Sequence, residues 1–187
     1  RHDSGLPRRH GSRHRGPVDL GHVWLEGPLL AADALADRWA AEDLVAVVEA
    51  FRARVDRNLD GLWSTRDLGW SLLNLAVLHE RYAAPDDARR IQALLEQWTA
   101  SFRGGWPRGE PLPGDGAAFV SSWVGPGILG EALARVPASS QRAAARRRFR
   151  RFLERLLEVV LGTEDGTDAE RGVRRGIVLD GDGKGHL

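Results

Sequence analysis

The sequence predicts an all-α chain of three antiparallel helix hairpins, laid side by side as part of a closed α/α ring (a partial toroid) or as an open α-solenoid. Three observations carry that expectation. Apolar residues recur at helical spacing through most of residues 20–161, breaks rich in Gly and Pro divide this stretch into six segments, and the segments repeat in pairs. With Trp24, Trp70 and Trp123 in register, 46 and 53 residues apart, Leu29, Leu75 and Ile128 fall five positions on, and Phe51, Trp98 and Phe152 fall near the end of each second helix. Stacked helix pairs have periods of this size.

Residues 1–18 hold five arginines and three histidines among Gly and Pro, show no apolar period, and read as a loop. The first helix is expected from about Asp19 or Leu20, on Val23, Trp24, Leu29, Leu30 and Leu35. Its partner carries Leu44, Val45, Val47, Val48, Phe51 and Val55. The third helix carries Leu68, Leu72, Leu75, Ala76 and Tyr82; Pro85 and Asp86 mark the start of the fourth, with Ile91, Leu94, Leu95, Trp98 and Phe102. A Gly- and Pro-rich loop over 103–116 precedes a helix over Phe119–Val136, a break at Pro137, and an amphipathic helix over Gln141–Leu161. The second helix of each pair is the more polar, which places it on the outer layer. The expected organisation is one helical domain, 1–161, with a functional N-terminal loop 1–18, followed by a polar, Gly-rich tail or edge strand over 162–187 around Ile177–Leu179.

Composition narrows the function. The 187 residues include no cysteine, so disulfides, thiolate metal sites and cysteine nucleophiles are excluded. Basic and acidic residues balance at 27 against 26, which argues against a nucleic-acid binder needing a broad field of one sign. No run approaches the roughly 18 apolar residues of a membrane helix, and the expectation is a soluble globular chain without a membrane partner. Methionine is absent and the chain starts at Arg1, which reads as an incomplete polypeptide.

The densest group of chemically capable side chains is the opening, where four of the six histidines fall within 22 residues. A helix starting near Asp19 would put His22 and Glu26 one turn apart on one face, an imidazole and a carboxylate placed as general base and acid. Arg8, Arg9, His10 and His14 supply forks and donors suited to the carboxylate of an acidic sugar.

The run Arg1-His2-Asp3-Ser4-Gly5-Leu6-Pro7-Arg8-Arg9-His10-Gly11, followed by Asp19-Leu20-Gly21-His22-Val23-Trp24-Leu25-Glu26-Gly27, resembles the start of the helical catalytic domain of bacterial exo-rhamnogalacturonan lyase-like proteins. Arg66-Asp67-Leu68-Gly69-Trp70, with Leu72 and Leu75, is similar to the inner-helix starts of α/α-toroid glycan enzymes. The likeness spans about residues 1–135 as a pattern, and its specific part is the opening. It implies a polysaccharide lyase or glycoside hydrolase acting on an acidic, uronic-acid-containing glycan, with no cofactor. In elimination, His22 or His10 would be the base and Arg8, Arg9 or Arg66 the carboxylate clamp. In hydrolysis, Glu26 would pair with Asp67 or Asp19. Trp24, Trp70, Trp106 and Trp123 could stack on sugar faces, although the equivalent repeat positions of Trp24, Trp70 and Trp123 favour packing; Trp106 sits in a Gly-Gly-Trp-Pro loop and is expected to be the better exposed.

Two other classes stand beside this one. A non-catalytic α-solenoid would bind a peptide or protein along its inner wall. A calcium-binding helical module would use Asp56, Asn58, Asp60 and Asp67, which follow most of an EF-hand spacing, although a helix-connecting turn favours the same residue types and no metal is assigned. The run Arg146–Arg155 reads as a solvated outer face.

Overall fold

The computed structural model describes residues 20–21, 23–35, 38–59, 64–103, 105–111, 118–121, 124–162, 176–179 and 185–186. Six helices carry it: α1 (Glu26–Leu35), α2 (Arg38–Arg57), α3 (Thr65–Tyr82), α4 (Pro85–Ala100), α5 (Val124–Arg135) and α6 (Ser140–Gly162). A small antiparallel sheet joins them, in the order β1 (Glu110–Pro111), β2 (Ala118–Ser121), β3 (Gly176–Leu179) and β4 (Gly185–His186).

Local chemistry explains the helix ends. Ser64 caps α3, its hydroxyl accepting the amides of Arg66 and Asp67 at 3.2 and 3.3 Å. α3 stops where Ala83 turns into the left-handed region (φ 50°) and donates its amide to the carbonyl of His79. Pro85 opens α4 at the position where its missing N–H costs nothing, with Asp86 and Asp87 in the first turn at the positive end of the helix dipole. Ser139 accepts the amide of Arg142 at 3.0 Å just ahead of α6.

α3 is the centre of the core. Leu68 through Leu78 are buried with the half-covered Trp70 as their one exception, so the helix meets protein on every side. It touches α4 and β2 and, most extensively, α5. The contact with α5 is close because two glycines leave room for backbone. A Cβ on Gly125 would come 2.5 Å from Thr65 Oγ1, and one on Gly69 would come 2.9 Å from the backbone nitrogen of Leu129. Start meets start, and at the far ends Arg135 reaches Glu80 at 2.8 Å, so α3 and α5 run in the same direction. α4 and α6 also run alike, since Glu96 meets Gln141 and the pair Trp98 and Phe102 meets Phe149 and Arg148. Phe51, Leu29 and Leu75 lie fully inside this core, and Trp98 is nearly so. A second cluster, Trp106, Val120, Phe152 and Leu156, ties the sheet to α6.

Three sequence expectations change. The first helix begins at Glu26, six residues later than Leu20, and residues 23–25 are non-helical. The reason lies in α3: buried Asn74 accepts the amide of Leu25 at 2.8 Å and donates to the carbonyl of Val23 at 2.9 Å. A side-chain amide thereby supplies the partners that a helix would otherwise give this segment, and the spacing of Val23 and Leu25 suits a strand-like path as well as a helical one. The fifth helix starts at Val124, because residues 118–121 pair with β3 in a four-residue register from Ala118 opposite Leu179 to Ser121 opposite Gly176. Ile177–Leu179 forms part of β3, which has β2 on one side and β4 on the other and is therefore an inner strand.

Candidate functional site

The sequence-derived residues divide into two groups. Arg8, Arg9, His10, His14 and His22 lie outside the described residues, as do Asp19 and Asp60. Glu26, Arg66, Trp70 and Trp106 are described, and each has a structural partner.

Arg66 stands in the first turn of α3, and its Nε donates to the carbonyl of Gly21 at 3.0 Å. Leu25 is held eight residues further along the same helix, opposite Asn74. At 1.5 Å of rise per residue that displacement is about 12 Å. Residues 20–21 and 23–25 thus lie alongside α3 from near its start to its middle, and Glu26 emerges towards the far end. There Glu26 accepts from Arg135 at 2.9 Å, while the other terminal nitrogen of Arg135 donates to Glu80 at 2.8 Å. These hydrogen bonds, that to Glu80 first, hold the Arg135 guanidinium above its ordinary pKa. The proposed clamp and the proposed carboxylate are accordingly separated along α3. Residues 23–25 are non-helical, and His22, the other member of the expected pair with Glu26, lies outside the described residues.

Trp70 is half-buried against the core, with its carbonyl accepting from Asn74 Nδ2 at 2.8 Å. Trp106, expected to be exposed, is 1 % exposed. Gly105, at φ +90°, turns the chain so that Arg103 and Trp106 exchange backbone hydrogen bonds at 2.9 Å, and the indole meets Phe152 edge-on at 6.1 Å. Arg155 covers the same ring at 5.5 Å. Both partners belong to α6, almost fifty residues away in the chain, so nothing local to Gly-Gly-Trp-Pro signals the burial. Trp24, in contrast, is 53 % exposed and lies against Gly27, where a Cβ would come within 2.6 Å of the ring. It precedes its helix by two residues, whereas Trp70 lies inside α3, so the two tryptophans are not structurally equivalent.

Two residues of the calcium spacing have protein partners, and Asp60 lies outside the described residues. Asp56 lies in α2 and accepts two hydrogen bonds from Arg90, at 2.7 and 2.8 Å, and Asn58 donates to the carbonyl of Arg54 at 2.6 Å. Among the described residues, no three His, Asp or Glu side chains group to hold a metal.

Among the described residues a charged network centres on Asp87, which the sequence did not single out. Asp87, fully buried at the start of α4, accepts from Arg52 Nε at 2.9 Å and Nη2 at 2.5 Å, and from Arg90 at 3.2 Å. With Asp56 on Arg90, four alternating charges cross-link α2 and α4. Hydrogen bonding to Asp87 raises the Arg52 pKa above its ordinary value. The sequence trace of this network is slight, because acids at a helix start and arginines in an outer helix are ordinary features.

On the outer surface, α4 and α6 border an open groove of about 500 Å³ lined by Arg147, Arg148 and Arg151 on one side and Glu96 and Thr99 on the other. No helix among the described residues is long and apolar enough to cross a membrane. Comparison of the chain with protein-family models, curated proteins and solved structures returns no match.

Proposed function

We propose that the chain is a helical-repeat module that works by binding a peptide or protein, with its six helices stacked as three antiparallel hairpins in an open α-solenoid. The common direction of α3 and α5, and that of α4 and α6, support this arrangement. The observation that carries the functional reading is the employment of the described candidate side chains. Glu26 pairs with Arg135, Arg66 holds the carbonyl of Gly21, and Trp106 is enclosed under Arg155. All three serve the packing of residues 20–21 and 23–25, α5 and α6 rather than converging on one cavity.

The test is turnover on pectic and other uronic-acid polysaccharides, followed by ultraviolet absorbance for unsaturated ends and by reducing-sugar release. The expected result is no product from the wild-type chain, and reduced thermal stability in Glu26→Gln. Product formation that disappears in Glu26→Gln with the fold intact overturns the reading.

One observation favours the second reading, an acidic-glycan lyase or hydrolase. Glu26 and Glu80 both bond Arg135, so two surface carboxylates stand a single guanidinium apart, and paired carboxyl groups are what glycoside hydrolysis requires. Under that reading, Glu80→Gln abolishes sugar release along with Glu26→Gln.

A further inference from the structure

We infer that the groove between α4 and α6 is the docking site for an acidic peptide segment of a partner protein, an inference that rests on the binding-module reading and names its partner chemistry. Arg147, Arg148 and Arg151 project along one wall. Among the described residues, no carboxylate pairs with any of these three; Arg148 lies over the Phe102 ring at 5.6 Å. Arg52, Arg81, Arg89, Arg90, Arg135 and Arg150, by contrast, each hold a carboxylate.

The spacing suits a peptide. Arg147 and Arg151 are one helical turn apart, about 6 Å between Cβ atoms. Alternate side chains of an extended peptide repeat at roughly 6.6 Å, so two acidic residues on one face of a strand meet both guanidinium groups. Nucleic acid fits less well. The residues lining the groove include no aromatic ring on which a base stacks. On the opposite wall, Glu96 is held by Gln141 at 3.1 Å, and the Thr99 hydroxyl is turned back onto the carbonyls of Leu95 and Glu96. That wall therefore offers a fixed surface with one negative charge, which aligns an acidic ligand towards the arginines.

The experiment measures binding of a fluorescent poly-Glu peptide, a poly-Lys peptide and a single-stranded RNA to the full chain, to Arg147→Glu/Arg151→Glu, and to Arg147→Ala/Arg151→Ala, with circular dichroism confirming the fold. The expected result is poly-Glu binding that weakens with salt as the screening length contracts from about 10 Å at 0.1 M. Charge reversal is expected to weaken it at least about tenfold, equivalent to about 1.4 kcal/mol. RNA binding tighter than poly-Glu, lost in the same variants, overturns the peptide assignment. Poly-Glu binding indifferent to both variants overturns the groove and leaves the binding-module reading standing. Absence of binding by every probe overturns the inference, while the turnover assay separately judges the reading beneath it.

Discussion

Asn74 replaces a strand partner for Leu25. From the middle of α3, at 1 % exposure, it accepts the Leu25 amide and donates to the carbonyls of Val23 and Trp70, which uses both ends of its side-chain amide. Those bonds decide that residues 23–25 lie extended against α3 and that α1 starts only at Glu26. Asn74→Ala strands the buried N–H of Leu25 and the carbonyl of Val23, while the Trp70 carbonyl keeps its helical partner, and each unsatisfied buried group costs about 1–3 kcal/mol. The expected loss is about 3 kcal/mol in urea unfolding, with faster hydrogen exchange at the Leu25 amide; a loss below the scatter of surface mutations would sink the assignment.

The Asp87 network makes a second prediction. Removing the central carboxylate leaves Arg52 and Arg90 facing one another, their side chains 17 % and 18 % exposed, with only peripheral acids for partners. Breaking one member of a buried ion pair costs about 3–5 kcal/mol, whereas exchanging both members for apolar residues is often neutral. Asp87→Ala is therefore expected to destabilise by about 3 kcal/mol, and Arg52→Met/Asp87→Leu by clearly less. Additive losses in this double-mutant cycle would contradict a coupled pair.

Asp56 predicts a pH dependence. Hydrogen bonding from Arg90 holds its carboxyl below the ordinary value of 3.8. A depressed folded pKa means that the unfolded chain binds the proton first as pH falls. The stabilisation is thus complete above the unfolded value near 3.8 and is lost as pH drops through the lower folded value. Asp33, lowered by its hydrogen bonds with Arg81, acts with the same sign. Denaturant midpoints measured from pH 6 downwards are expected to fall more gently in Asp56→Asn than in wild type; parallel curves would remove Asp56 from the acid response.

Two glycines of α5 separate packing from propensity. Gly125→Ala drives a methyl to 2.5 Å from Thr65 Oγ1 and 3.1 Å from the backbone nitrogen of Arg66, and overpacking of this kind costs about 1–3 kcal/mol. Gly127 has nothing within 4 Å of the same position, so Gly127→Ala is expected to gain about 1 kcal/mol from helix propensity alone. Calorimetric melting temperatures moving in opposite directions for the two variants check the close α3–α5 contact.

Much of this fold was legible in the sequence because helix formation depends on near neighbours. The periods through Leu44–Val55, Leu68–Ala76 and Ile91–Trp98 reappear as α2, α3 and α4, with Pro85 at the start of α4, and Phe51 and Phe152 are both buried, in separate clusters. The candidate site was far less legible. Residue types at the opening of the chain suggested chemistry, but whether a carboxylate is free depends on what stands opposite it. Arg135, which engages Glu26, comes 109 residues later.

Sequence alone therefore determined the number of helices among the described residues, most of their boundaries and which of their faces turn inward, since i to i+4 spacing and terminal caps act within a turn or two. Tertiary structure decided the extended path before α1, the burial of Trp106, the inner position of β3 and the pairing of Asp87 with Arg52. Each of these is a contact between groups 35 or more residues apart, where a buried hydrogen bond, charge or ring is satisfied only once a distant element has arrived.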